Sequence, residues 1–274
     1  MDNHGQQSVK CSHCAFKALC LPSGLDDASM EQLNSIIVRR RRVAKDEQLY
    51  RAGQAFGSMY AVHFGEFKTT QVNRRGALQV TGFLMAGELL GMDAIATGAH
   101  ACDAVALEDS EVCEIPYSQL GPLIGRIPVL MQHFHRLMSQ EILREQSVML
   151  FLGNIRADQR MAMFLLSLGK RYAARGFSGS RYQLRMSRED IGAYLGLTIE
   201  SVSRLLVKFR NNGWIKLQQR EVELLDRTSL EALAAGVEAD DIETSTPART
   251  PVRKVKPIAP QPSRVIPIHA AVAA

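Results

Sequence analysis

Three observations predict an α+β chain. Glycines 53, 57, 65, 76, 82, 87, 91 and 98 cut residues 37–115 into short β-rich pieces, as in a small antiparallel sandwich or roll. Apolar residues then recur every three or four positions from Pro128 to Leu152, which is the period of a helix. A short helical run, a glycine and a second helical run follow within residues 187–211, with two β-rich pieces behind them. The predicted order is therefore an antiparallel β-roll, a long helix and a C-terminal winged helix-turn-helix.

The chain begins with its densest chemistry. Three of the five cysteines, Cys11, Cys14 and Cys20, are spaced C-x2-C-x5-C. Backbone this short cannot give three thiols independent tasks, but it can wrap them around one soft metal centre. Thiolates select zinc, copper(I) or iron–sulfur clusters, because soft ligands match soft or borderline metals. Zinc commonly takes two Cys-x2-Cys pairs or added histidines, and cubane clusters take four cysteines. A fourth ligand must come from elsewhere, and Cys102 and Cys113 remain. The competing readings are a disulfide, or three thiols with no shared task. The polar start, Met1 to Gln7, has no apolar stretch of a signal peptide, and no apolar run approaches the roughly eighteen residues of a membrane span. A cytoplasmic, reducing setting is expected, where clustered cysteines more often hold metal than form structural disulfides.

A short helix is predicted from Asp26 to Ile36, entered through Pro22-Ser23-Gly24. Strands are predicted at Met59–Phe64, Phe67–Val72, Leu78–Phe83, Ala104–Leu107 and Glu111–Ile115. The run Arg39 to Arg42 reads as a solvated strand edge with no special role. In the long helix, Met131, His135, Met138, Ile142, Glu145, Met149 and Leu152 form a heptad-like seam. Such a seam packs inside one chain or along a partner helix. A rod of roughly 37 Å, at about 1.5 Å per residue, favours the partner. Glu145 is a liability in the seam unless it is paired or serves to weaken association. His133 and His135 read as surface or seam residues rather than ligands.

Residues 155–174 give a second amphipathic helix through Met161, Phe164, Leu165 and Leu168. Ser187 is a plausible N-cap for a helix running through Ile191 and Tyr194 to Leu195. Gly196 occupies the tight turn, and Thr198 caps a helix from Ile199 to Asn211. That helix presents Glu200, Ser201, Ser203, Arg204 and Lys208 outward and Val202, Leu205, Leu206 and Phe209 inward. Trp214–Leu217 and Val222–Leu225 read as a β-hairpin wing. Arginine donates two hydrogen bonds to guanine, glutamate accepts from cytosine, and serine serves in either role, so the outward face suits the major groove of double-stranded DNA. The opposing reading of Glu200 and Arg204, at i and i+4, is a surface ion pair worth only about 0.3–0.5 kcal/mol.

Charge follows the same division. Residues 154–226 carry thirteen Lys/Arg against seven Asp/Glu, whereas residues 1–153 carry fourteen against sixteen. The positive charge of the folded part thus belongs to the segment with the helix-turn-helix. Beyond Gly236, prolines 247, 251, 257, 260, 262 and 267 mixed with basic residues read as a disordered tail. Five regions result: a cysteine segment (1–24), the β-roll (25–127), a dimerisation helix (128–153), the winged helix-turn-helix (154–236) and the tail (237–274). No region combines a nucleophile, an oriented base and an anion hole, so an enzyme is not expected.

In this order the chain resembles the Crp–Fnr family of bacterial transcription regulators, and within it the oxygen-sensing FNR (fumarate and nitrate reduction regulator) branch. The resemblance runs from Cys11 to about Gly236. It rests on the cysteine spacing, Val112-Cys113-Glu114-Ile115-Pro116, Arg136-Leu137-Met138-Ser139, Asp190-Ile191-Gly192-Ala193-Tyr194-Leu195-Gly196-Leu197-Thr198 and Glu200-Ser201-Val202-Ser203-Arg204-Leu205-Leu206. It implies a cyclic-nucleotide-binding-like roll and a [4Fe–4S] cluster held by Cys11, Cys14, Cys20 and Cys113. It also implies a homodimer inactivated by oxygen, whose interface is expected at Met138, Ile142, Glu145 and Met149 of the seam. Glu200, Ser203 and Arg204 would read TTGAT half-sites, and RNA polymerase would meet the loop near Asn73–Gln79. The cyclic-nucleotide branch keeps Gly87-Glu88-Leu89-Leu90-Gly91, but Cys102-Asp103 stand where its phosphate-holding pair belongs. A cyclic nucleotide is therefore not expected, since Asp103 would repel the phosphate. A zinc-stabilised regulator without oxygen sensing is the alternative.

Overall fold

The computed structural model describes residues 10–72, 76–151 and 155–236. Helix α1 (Asp27–Ile36) starts where Asp26 accepts a 2.7 Å bond from the Ser29 N–H, satisfying one of the donors a helix start leaves open. Eight strands follow: β1 (Arg39–Val43), β2 (Gln48–Tyr50), β3 (Ser58–Phe64), β4 (Glu66–Val72), β5 (Leu78–Met85), β6 (Leu89–Leu90), β7 (Asp103–Ala106) and β8 (Ser110–Pro116). They form two antiparallel four-stranded sheets, ordered β1-β8-β3-β6 and β2-β7-β4-β5.

Both sheets feed one core, in which Val43, Tyr60, Val62 and Val112 of the first meet Tyr50, Phe67, Leu84 and Ala104 of the second. The roll expected from the glycine punctuation is present. Strands β2 and β6 escaped the sequence reading because they are only three and two residues long. Strand β1 is an edge, as expected, and its charges oppose pairing with another sheet.

Helix α2 (Tyr117–Arg126) and α3 (Pro128–Phe151) cover the outer face of the first sheet. Leu33, Met59, Ala61, Ile115, Leu120, Leu130, Phe134 and Cys11 share a second core there. Of the α3 seam, Met138 packs against that core, while Met131 and Ile142 turn outward. Leu130, His133 and Phe134 are buried, whereas Met131 is 38% and Ile142 51% exposed. His133 corrects the surface reading, since it falls on the same helical face as Leu130, Phe134 and Leu137. Met149 and Leu152 lie outside the described side chains.

The C-terminal part comprises α4 (Ala157–Ala174), β9 (Arg181–Gln183), α5 (Arg188–Leu195), α6 (Ile199–Asn211), β10 (Ile215–Gln218), β11 (Glu221–Leu224) and α7 (Arg227–Ala234). The expected wing is β10–β11, and β9 adds a third strand that the sequence reading missed. Met161, Phe164, Leu165 and Leu168 of α4 enter a core with Ile191, Val202, Leu206 and Phe209. Val80, Phe83 and Leu107 of the roll join the same core, so roll and helix-turn-helix share one apolar interior. No helix of the described residues is long and apolar enough to cross a membrane. The expected tail, 237–274, lies outside the described residues, as do Asn73–Arg75 of the expected polymerase-facing loop. Its flanks Val72 and Leu78 are exposed.

Candidate cysteine centre and nucleic-acid interface

The cysteine segment is a chain of tight turns. Cys11–His13 form one 3-10 turn, the Cys14 N–H reaches Cys11 O at 3.1 Å, and the Lys17 N–H reaches Cys14 O at 3.2 Å. Two long-range bonds dock it: the Cys11 N–H donates to Asn34 Oδ1 at 2.8 Å, and His133 Nε2 donates to the Cys20 carbonyl at 2.9 Å. Cys113 comes from β8, paired with Arg40 of β1 and Ala61 of β3. Cys11, Cys14, Cys20 and Cys113 thereby line one narrow cavity of about 20 Å³, with Arg40 and His63 at its wall. That is room for about one water molecule.

Charge ties the four thiols together. Burial, then the Cys113 and Cys14 thiols, push Cys11 up to about 12. Burial raises Cys20 further, with Cys11, Cys113 and Cys14 adding to it. Cys113 rises to about 11 through burial, while Arg40 pulls the other way. Cys102 stands apart: burial and Asp93 push it up to about 12, and its Sγ lies 3.5 Å from Asp93. Among the described residues, no three His, Cys, Asp or Glu side chains converge on a single-ion site. The donor set nevertheless fits an iron–sulfur cluster in kind, because each iron of a cubane takes one thiolate and its four sulfur ligands surround the group instead of meeting at one atom.

Sequence reasoning missed three neighbours of this cavity. Arg40, assigned no role, lies opposite Cys113 and its charge works against the rise of that thiol, and register alone reveals that. His63 Nδ1 lies 3.8 Å from Cys14 Sγ. His133 was legible from helical period, but its bond to Cys20 was not.

A second cavity, of about 340 Å³, opens inside the roll between Tyr50, Thr81, Asp93, Cys102, Glu141 and Glu145. Its acidic lining is Asp93, Glu141 and Glu145 and does not include Asp103, which corrects the sequence expectation. Asp103 is spent on the Ala52 N–H at 2.7 Å. Glu88, from the retained Gly-Glu turn, bonds Arg144 of α3, Arg171 of α4 and Arg175, which caps the end of α4, at 3.2, 2.6 and 2.7 Å. Burial opposes its ionisation, but the three guanidiniums outweigh that and hold its carboxyl well below the usual range.

The helix-turn-helix follows the sequence closely. Ser187 and Asp190 close a capping box on α5, with the Asp190 N–H on Ser187 Oγ at 3.0 Å. Gly196 adopts the left-handed conformation (φ 64°) that ends α5, which costs a residue with a side chain more. Thr198 Oγ1 accepts from the Ser201 N–H at 3.2 Å to start α6. Val202, Leu206 and Phe209 are buried, Leu205 only partly, and Glu200, Arg204 and Lys208 are exposed. Among the described residues no ion pair within 4 Å joins Glu200 to Arg204, and Glu200 is held ionised by its own backbone N–H and by Thr198. Two details depart from a freely outward face. Lys208 Nζ rests on Asp158 Oδ2 at 3.1 Å, and Ser203 Oγ accepts from Arg188 Nη1 at 3.0 Å. Arg188, not singled out beforehand, thus shares the reading face.

Comparison with known proteins places both regions. Residues 40–126 match the family model of the cyclic nucleotide-binding domain and residues 159–233 that of the Crp-like helix-turn-helix domain. The chain is 43% identical over 226 residues to the transcriptional activator protein anr of Pseudomonas aeruginosa, covering 82% of this chain and 93% of that protein. The same identity and coverage relate it to the transcriptional regulatory protein btr of Bordetella pertussis. It is 40% identical over 230 residues to the fumarate and nitrate reduction regulatory protein of Escherichia coli, covering 84% and 92%. Among solved structures, FixK2 from Bradyrhizobium japonicum superposes with a TM-score of 0.66 at 29% identity, over 71% of this chain and 96% of that one.

Proposed function

Because this chain belongs to the Crp–Fnr family of transcription regulators, and is no enzyme, we propose that it is an oxygen-responsive member active in the cytoplasm. In this reading it binds TTGAT-N4-ATCAA sites as a homodimer while Cys11, Cys14, Cys20 and Cys113 hold a [4Fe–4S] cluster. The observation that carries it is the shared cavity of those four thiols, with Cys102 outside it. The cluster would supply an oxygen-labile centre. The chain's own part is to hold four thiolates, shield them with Leu33, Ile37 and Ile115, and balance their charge with Arg40.

Reading DNA falls to α6. Arg204 would take guanine through paired bonds, Glu200 would accept from cytosine, and Ser203 and Ser201 would serve either role. Lys208 would leave Asp158 to neutralise a phosphate. The seam of α3, with Met138, Ile142, Glu145 and Met149, would join two copies, and RNA polymerase would meet the roll near residues 73–79. Against a cyclic nucleotide stands the cavity of the roll: Asp93, Glu141 and Glu145 line it, no Lys or Arg does among the described residues, and Glu88 is committed to three arginines. A phosphate entering there meets like charge.

Anaerobic reconstitution tests the proposal. Cys113→Ala should lose iron and DNA binding together, while Cys102→Ala should keep both. Equal iron loss in the two variants refutes the ligand set. A colourless protein that retains zinc through reconstitution supports the alternative, a zinc-stabilised regulator without oxygen sensing.

A further inference from the structure

Residues 87 and 88 are neighbours in a turn between β5 and β6, and they face opposite parts of the molecule. Gly87 adopts φ +89°, and a Cβ placed on it would lie 3.0 Å from Leu19 Cβ and 3.4 Å from Phe16 Cβ. The cysteine segment therefore rests directly on this backbone, and a side chain there would push it away. The turn is pinned to β3 by the Gly87 N–H on Val62 O at 2.8 Å and the Val62 N–H on Glu88 O at 2.9 Å. The next residue of β3, His63, is the one beside Cys14.

Glu88 points to the other side. Its carboxylate gathers Arg144 from α3, Arg171 from α4 and Arg175 from the cap that ends α4. Arg171 Nη2 also donates to Phe83 O at 2.5 Å, and Arg175 Nε to Ala86 O at 2.7 Å. Arg144 in turn pairs with Glu141 on α3. One carboxylate thus fastens the last turn of α4, which carries the helix-turn-helix, and the middle of the seam helix to a turn whose other face bears the cysteine segment. The cavity beneath that segment holds about one water. A larger group taken up by the four thiols must shift the segment, and Gly87 is among the backbone it bears on.

We propose that the Gly87-Glu88 turn is the joint through which the cysteine segment sets the positions of α4 and α3, with Glu88 as the positioning residue. The link to cysteine occupancy rests on the function proposed above, but the mechanical coupling does not. Arginines 144, 171 and 175 compete for two carboxylate oxygens. A small displacement of the turn redistributes them and changes how firmly each helix is held.

The decisive measurement is hydrogen exchange on the full iron-free chain, in a cycle of Gly87→Ala and Glu88→Gln. Gly87→Ala should speed exchange of the amides of residues 171–175 about tenfold when Glu88 is present, and less than about twofold further when it is replaced. Leu19→Ala, which withdraws the contact instead of crowding it, serves the same cycle if Gly87→Ala does not fold. Additive effects, or no response at 171–175 to either change at the cysteine segment, would overturn the joint. In a parallel arm, reconstituted Glu88→Gln should hold as much iron as the unaltered chain. Its ratio of DNA affinities, iron-loaded over iron-free, should shrink about tenfold, and an unchanged ratio at equal iron also overturns the joint. If the unaltered chain itself shows no iron-dependent DNA affinity, the proposed function fails and the exchange cycle alone decides the coupling.

Discussion

Glu66 should make the seat of α4 on the roll dependent on pH. It lies on β4, is 5% exposed, accepts a hydrogen bond from the Tyr172 hydroxyl of α4, and keeps its Oε2 without a partner. Burial pushes its carboxyl up to about 7, against the Tyr172 bond, with Glu108 adding and Arg171 and Arg185 opposing. In the unfolded chain the same group titrates near 4.5. The folded state therefore binds the extra proton, and its stabilising contribution is complete below about 4.5 and lost as pH rises through about 7. The full span, at about 1.4 kcal/mol per pH unit, is roughly 3 kcal/mol, of which about 2 kcal/mol falls between about pH 5.5 and pH 8. Glu66→Gln keeps an acceptor for Tyr172 and cannot ionise. Urea denaturation of the iron-free chain at both pH values should show the unaltered protein losing about 2 kcal/mol more than the variant. Parallel pH slopes for the two proteins would refute the assignment.

Three further outcomes are expected. Arg204→Ala should cost about 1–3 kcal/mol at a guanine-containing half-site and relax preference at that base, whereas Lys208→Ala should lower the salt slope of binding by about one and leave preference alone; anaerobic fluorescence anisotropy separates the two. Glu145→Ala should dimerise and bind DNA in air without iron, because its carboxyl is raised by burial and by Glu141 and would meet its own copy across the Met131–Met149 seam; sedimentation of a monomer at the concentration where the unaltered iron-free chain is monomeric would end that account. His133→Ala leaves the Cys20 carbonyl with the Ser23 N–H alone, at about 0.5–1.5 kcal/mol for the lost bond, and should reduce iron retained after reconstitution; iron content equal to the unaltered chain would show that the anchor is dispensable.

Short-range features were legible in the sequence because their physics is local. The Ser187 and Thr198 caps, the Gly196 turn and the inward triad Val202, Leu206 and Phe209 depend on residues within a few positions of one another, and each stands where the pattern put it. The same holds for the roll's longer strands and for the helical period of α3, in which Met131 and Ile142 of the seam are exposed. Cys11, Cys14 and Cys20 announced themselves by spacing, and Cys113 by its motif alone. What tertiary structure decided is which distant charges and donors meet. Register set Arg40 opposite Cys113, a helix far along the chain brought His133 to Cys20, and the roll's cavity received Asp93 where Asp103 had been expected. Glu88 gained arginines 56, 83 and 87 positions away. No local pattern encodes such pairs, because an ion pair needs only proximity, and proximity across that much chain exists only after the apolar cores have fixed where each strand and helix lies.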